Sequence, residues 1–252
     1  MGCGTWSWGN RLLWDYDPAQ DEEIYQSYRY IRDCGITIFD TADSYGTLDL
    51  NGRAEILLGQ FERRYISERK EETQQTRNDD TNVFMNLFTP GGTQTKRSFQ
   101  PQQVATKFAP YPWRITSNQL VNAAKSSLSR LEQSKLSIAQ LHWSTANYQP
   151  FQERALWKGI GDIYEEGLCD AIGVSNYGPV QLQKIADYMK EDRDDIPIAT
   201  AQIQYSLMTY KDCKDMNDSC DDVNCRLISY SPLCLGVSAI TFFIEKSDFH
   251  WI

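Results

Sequence analysis

The sequence predicts an α/β protein, a (β/α)8 TIM-type barrel of which about seven β/α units are countable. Three observations predict it. Short apolar runs alternate with longer segments of helical period over 252 residues, the pattern of a parallel sheet covered by helices. No dinucleotide-fold glycine fingerprint follows the first strand, which argues against an open doubly wound sheet. The composition, 41% hydrophobic with 7 Trp and 14 Tyr, suits a single domain with a packed interior and a lined pocket.

The elements follow in order. Thr5-Trp6-Ser7-Trp8 reads as the end of a first strand. A helix over 21–32 precedes a strand over 36–39. Residues 53–64 form a helix with Ile56, Leu57, Leu58 and Phe61 on one face. The segment from about 67 to 103 breaks the rhythm. It is rich in Gln, Thr, Asn and Asp, with Pro90-Gly91-Gly92 inside it, and is expected to be a mobile insertion on the face opposite the active end. Its apolar patch, Val83-Phe84-Met85 with Leu87-Phe88, is expected to dock on the barrel bottom or on a partner. Val104-Ala105-Thr106 opens the next strand. Thr116 or Ser117 can cap a helix over 118–131, whose Leu120, Ala124, Leu128 and Leu131 form an apolar stripe. A strand over 136–141 and a helix over 153–166, closed by Gly167, come next. Strands over 171–174, 198–203 and 227–230 then alternate with helices over 180–190 and 212–223. The domain spans 1–252, with a divergent tail over 237–252.

The net charge of −9, with no basic stripe, points away from nucleic acid. No apolar run is long enough to span a membrane. Nor does a secretory h-region follow Met1, so the expected compartment is the cytoplasm, or a plastid if a transit peptide precedes Met1. Met1-Gly2-Cys3-Gly4-Thr5-Trp6 starts like a myristoylation site but has Trp6 where Ser or Thr is wanted. The 7 Cys are odd in number and form no C-x-x-C pair. Only His142 and His250 could add imidazole ligands, so no metal site is expected. The expected thiols are reduced ones. The stretch from Cys213 to Cys234 is the best candidate for a disulfide or a redox-sensitive patch.

Three ionisable residues occupy one equivalent position in three successive units: Asp40, Lys107 and His142 each stand at a strand end. In a parallel barrel such positions share the C-terminal rim, where barrel enzymes carry their chemistry. Tyr45 lies five residues beyond Asp40, in the loop rising from that rim. Taken singly, each has an ordinary reading: a strand-end Asp or Lys is commonly a solvated rim residue, a Tyr a packing residue, and Ser175-Asn176 a turn. The set in register is what marks a site.

Phe39-Asp40-Thr41-Ala42-Asp43-Ser44-Tyr45-Gly46, followed by Glu55 and Leu58-Gly59, resembles the signature of the aldo-keto reductase family. Val104-Ala105-Thr106-Lys107, Leu141-His142-Trp143, Ile172-Gly173-Val174-Ser175-Asn176 and Ser229-Tyr230-Ser231-Pro232-Leu233 resemble, in order, further segments of it. The likeness runs from about Gly4 to Gly236 apart from the insertion. Gly4 to Gly9 and Phe108 to Arg114 look most like the plant-type, plastid-associated branch.

The resemblance implies an NADP(H)-dependent oxidoreductase that reduces a small aldehyde or ketone by hydride transfer. Tyr45 is then the general acid. Its phenol, with an ordinary pKa near ~10, needs the Lys107 ammonium to make it acidic enough. Asp40 would hold Lys107, and His142 would hydrogen-bond the substrate oxygen. Ser175, Asn176 and Gln202 would bind the nicotinamide carboxamide and Tyr230 would stack on its ring. Ser231 and Leu233 would lie along the pyrophosphate. Trp6, Trp143 and Trp113 would wall the substrate pocket. The alternative is a non-catalytic or inactive truncated relative that binds a protein partner. Family members continue past the Tyr-Ser-Pro-Leu segment, and residues 237–252 resemble none of that continuation, so an eighth unit is expected to be missing. Such a gap would leave strand edges unpaired, giving poor solubility and weak NADPH binding.

Overall fold

The computed structural model describes residues 1–80, 100–211 and 213–234. The chain divides into two compact units, each treated by itself below. The first holds Met1–Thr41, Ser129–Gln133 and the described parts of Tyr45–Val104. The second holds Ala42–Ser44, Ala105–Leu128 and the described residues from Ser134 on.

In the first unit, β1 (Gly2–Gly4) pairs in parallel with β2 (Ile38–Ala42), Gly4 standing opposite Asp40. A short helix α1 (Arg11–Trp14) is capped by the Asn10 side chain, which accepts from the Leu13 N–H at 3.0 Å. Helix α2 (Asp21–Asp33) opens with Asp21, Glu22 and Glu23, charges that suit a helix N-terminus, and buries Tyr25, Tyr28 and Arg32 along one face. These rings pack with α3 (Arg53–Asp80) and β2: Tyr28 lies 4.9 Å from Phe39 and 5.8 Å from Phe61, ring centre to ring centre.

The structure corrects three sequence expectations here. Strand β1 ends at Gly4, so Thr5-Trp6-Ser7-Trp8 follows it rather than closing it. The Thr5 N–H and hydroxyl both bond the Asp40 carbonyl, and the Trp8 N–H turns back to the Thr5 carbonyl. Strand β2 runs on to Ala42, so Asp40 is its third residue and not the one beyond its end. Residues 67–80, expected as the start of a mobile insertion, continue α3. Ion pairs one turn apart, Arg64–Glu68 at 2.8 Å and Arg69–Glu72 at 3.0 Å, support that extension, and Arg29 of α2 reaches Glu72 at 2.7 Å. The polar composition hid a helix whose exposed face is held by charges. The apolar patch at 83–88 and the tail at 237–252 lie outside the described residues.

The second unit carries β3 (Gln103–Phe108) from Ala105 on, α4 (Ser117–Leu131) to Leu128, β4 (Leu136–Leu141), α5 (Pro150–Glu165), β5 (Cys169–Ser175), α6 (Pro179–Asp192), β6 (Ile198–Gln204), α7 (Lys214–Asp222) and β7 (Arg226–Tyr230). Successive strands from β3 to β7 are parallel. Prolines at the first turn of α5 and α6 cost no hydrogen bond there, and Gly167 closes α5 with φ +70°. Phe108, Leu120, Leu141, Leu156, Ile172, Val174 and Leu182 fill the interior between sheet and helices. At Gly173 a side chain would meet the Thr200 hydroxyl at 2.1 Å, so only glycine lets β5 and β6 pair there. All seven cysteines are free thiols, so the Cys213–Cys234 stretch forms no disulfide. Among the described residues no helix is long and apolar enough to cross a membrane.

Candidate active site

Two of the four ionisable residues lie in the first unit. Asp40, half-buried, is held by main-chain bonds: its carbonyl accepts from the Thr5 N–H at 2.9 Å and the Thr5 hydroxyl at 3.1 Å. Tyr45 follows in the loop after β2, also half-buried, its carbonyl accepting from the Gly52 N–H at 3.0 Å. The next residue, Gly46, has φ +122°, and a side chain there would run into the Leu50 carbonyl at 1.9 Å. The glycine is thus what lets the loop turn directly after the tyrosine. Trp6, 41% exposed, sits edge-on to Trp14 at 6.1 Å.

The second unit brings together most of the remaining residues. Lys107 lies on β3 with 1% of its surface exposed. His142 is the first residue beyond β4, its N–H donating to the Phe108 carbonyl at 3.1 Å. Burial first, and then the Lys107 charge, push the His142 imidazole down to a pKa of about 3. The ring is therefore neutral at pH 7. Asn176 holds φ +53°, a left-handed conformation that Asn tolerates better than most residues. From there its Nδ2 donates to the His142 carbonyl at 3.0 Å and to Ser175 Oγ at 3.1 Å, while its Oδ1 accepts from the Tyr230 hydroxyl at 2.8 Å. Ser175 Oγ reaches Gln202 Oε1 at 3.4 Å, and the Asn176 N–H bonds the Gln202 carbonyl at 2.8 Å. The Tyr230 phenol is raised by burial, with the Lys107 charge acting against that rise.

One connected cluster thus contains His142, Ser175, Asn176, Gln202 and Tyr230, with Lys107 felt electrostatically by two of its members. Ser231, with φ +48°, begins the turn after β7, and its carbonyl accepts from the Cys234 N–H at 2.9 Å; Leu233 is exposed. Trp143 lies 4.8 Å from His142 between ring centres and donates to the Tyr148 hydroxyl at 2.7 Å. Trp113 is exposed and stacks on Tyr111 at 4.7 Å, outside that cluster.

Three supporting residues were missed by the sequence reading. Asp43, buried, pairs with Arg114 at 2.6 Å and accepts from the Ala109 N–H at 3.0 Å, while its own N–H bonds the Lys107 carbonyl at 2.9 Å. Ser44 Oγ lies 3.3 Å from His142 Nδ1. Glu153 on α5 gathers the loop after His142. Its carboxylate accepts from the Ser144 hydroxyl at 2.8 Å and from both the N–H and the hydroxyl of Thr145 at 2.6 Å. Asp43 and Ser44 stood inside the quoted motif but carried no assigned role. Glu153 lies eight residues beyond Thr145, a spacing with no local signature.

Residues 1–239 match the Aldo/keto reductase family. The chain is 46% identical over 238 residues to "Pyridoxal reductase, chloroplastic" of Arabidopsis thaliana, a match covering 94% of this chain and 57% of that protein. It is 25% identical over 253 residues to an uncharacterized oxidoreductase of Mycobacterium bovis, covering 98% of this chain and 62% of the relative. The chain therefore spans about three-fifths of the length of these relatives. Among solved structures, an aldo/keto reductase from Klebsiella pneumoniae in complex with NADP and acetate superposes with a TM-score of 0.66 at 22% identity, covering 98% of this chain and 69% of that one. That likeness shows a shared fold, the (β/α)8 TIM type, seven of whose strands fall among the described residues.

Proposed function

The chain belongs to the aldo/keto reductase family, and from that premise we propose that it is an NADP(H)-dependent oxidoreductase reducing small aldehydes or ketones to alcohols. The single observation that carries this reading is the cluster around His142: a neutral imidazole that feels the buried Lys107 cation, on a residue whose backbone carbonyl is bonded through the Asn176 side chain to Tyr230. A neutral ring can hydrogen-bond a carbonyl oxygen without adding a second positive charge beside the lysine.

NADPH, when bound, supplies the hydride. The residues present fit it in kind. The amides of Asn176 and Gln202 and the hydroxyl of Ser175 each donate and accept, as a carboxamide requires. The bonds Asn176 now makes to Ser175 and Tyr230 are ones a carboxamide can replace group for group. Tyr230 offers its ring face, and Ser231 and Leu233 the backbone beyond it. His142 orients the substrate oxygen. Tyr45 gives that oxygen its proton, with Lys107 as the cation that makes a phenol acidic enough and Asp40 as its counter-charge. Trp6, Trp143 and Trp113 are the proposed pocket walls.

The printed name of the Arabidopsis relative suggests pyridoxal, an aldehyde, as the first substrate to try, and the plastid as the compartment to weigh against the cytoplasm. The test is NADPH oxidation with pyridoxal and with a simple aromatic aldehyde, for the wild type and for Tyr45→Phe. The expected result is aldehyde-dependent oxidation that falls about 10²–10⁴-fold in the variant, the usual worth of a positioned acid. Equal rates in the two proteins would sink the reading.

A further inference from the structure

Ser44 is not used by the mechanism above, yet its side chain meets the only histidine among the described residues. The backbone is held at His142 and at Asp43, the residue before Ser44. The Asp43 N–H is tied to the Lys107 carbonyl and its carboxylate to Arg114 and the Ala109 N–H. The main chain of His142 is tied on both sides, by its N–H to Phe108 and by its carbonyl to Asn176. On this backbone Ser44 Oγ lies 3.3 Å from His142 Nδ1.

The direction of that bond decides the chemistry. A neutral imidazole carries its proton on one nitrogen and a lone pair on the other. A serine hydroxyl has one proton to give, and this is the only hydrogen bond the Ser44 side chain makes among the described residues. If Nδ1 were the donor, the serine proton would have no acceptor within the described protein. If serine donates, its proton is satisfied, Nδ1 is an acceptor, and the ring proton stands on Nε2.

We infer that Ser44 is a positioning residue that holds His142 in the tautomer protonated at Nε2, so that the imidazole presents a donor from its far nitrogen. The depressed pKa of the ring is consistent with this, since a tautomer choice exists only in the neutral form. The catalytic consequence rests on the reductase reading: the donor at Nε2 is what a carbonyl oxygen needs. The tautomer itself does not rest on it.

The full chain contains two histidines, which makes the test direct. The protein is labelled with 15N-histidine, and two-bond proton–nitrogen correlations are recorded near pH 7 without cofactor or substrate, with His250→Gln assigning the signals. The expected result is a His142 ring protonated at Nε2 in the wild type. In Ser44→Ala the tautomer ratio shifts toward Nδ1 by between about twofold and tenfold, the worth of one hydrogen bond, and Ser44→Thr retains the wild-type pattern. A wild-type ring protonated at Nδ1 overturns the inference, and so does a ratio unchanged in Ser44→Ala. The wild-type spectrum decides even if the alanine variant fails to fold.

In turnover, Ser44→Ala is expected to lower kcat on the order of tenfold with KM unchanged, less than the loss on deleting a donor outright. A moved tautomer with an unchanged kcat would overturn the catalytic half and leave the reductase reading standing on Tyr45.

Discussion

One buried cluster in each unit, around Glu62 in the first and around His142 in the second, handles charge in a different way. In the first, Glu62 is surrounded by groups that satisfy it: Tyr28 donates at 2.5 Å, the Gln102 N–H at 3.1 Å, and Arg32 pairs with it at 3.2 Å. Arg32 also reaches the Gln100 carbonyl at 2.8 Å, and burial together with Glu62 pushes the Tyr28 phenol well up. The charges there cancel across a buried ion pair. In the second unit, the charge of buried Lys107 acts on His142, whose imidazole would carry the same sign if protonated. Burial first, and then the lysine charge, keep the imidazole from charging, and the ring is left neutral and able to donate or accept. Buried opposite charges make scaffold, whereas buried like charges hold a group in a protonation state that chemistry can use.

That contrast can be broken at four places, in falling order of expected effect. Glu62→Ala strands the Arg32 guanidinium in the interior of the first unit, and should cost about 3–5 kcal/mol of stability in urea unfolding. A loss under about 1 kcal/mol would mean the cluster is not a scaffold. The second test is pH. Below about 6.5 the unfolded chain protonates His142, whereas the folded chain resists until about 3. Stability present above pH 6.5 is therefore lost as pH falls toward 3, by about 1.4 kcal/mol per unit from this residue alone. His142→Gln should flatten that part of the pH–stability curve, and an unchanged slope would place the ring in water.

Smaller effects separate the site from its supports. Glu153→Gln removes the charge from the acceptor that gathers Ser144 and Thr145, and should cost about 1–3 kcal/mol in thermal or urea melts. Activity should fall with it because the loop follows His142; lost stability with full activity would make the glutamate a scaffold residue like Glu62. Asn176→Ala should cost about 1–2 kcal/mol of stability, because alanine takes the left-handed conformation at φ +53° less readily than asparagine. It should weaken NADPH binding by about twofold to tenfold in a fluorescence titration, the worth of one hydrogen bond. Unchanged affinity would remove the residue from the cofactor contacts.

Much of this was legible in the chain. Strand β4 coincides with the expected 136–141, because Leu136-Ser137-Ile138-Ala139-Gln140-Leu141 is a short apolar run bounded on both sides by polar residues. His142 was legible as a residue at a strand end, since a parallel sheet brings equivalent positions to one edge, whereas Ser175, Asn176, Gln202 and Tyr230 came from the family resemblance alone. Strand β1 was misplaced because Thr5 and Trp8 have strand-like side chains but spend their N–H groups on a turn and on Asp40. Helix α3 outran its prediction because its distal turns are held by ion pairs, which leave no apolar stripe to read.

The order of apolar runs, the glycines at Gly46 and Gly173, and the identities of the ionisable side chains belong to the sequence alone, because periodicity and conformational freedom are local properties. Tertiary structure alone decided that Lys107 is buried, that His142 is neutral, and that Ser44, Asp43 and Glu153 support the groups around it. Protonation states and hydrogen-bond partners depend on what lies a few ångströms away through space, and residues 98 positions apart, such as Ser44 and His142, share no local pattern that could announce it.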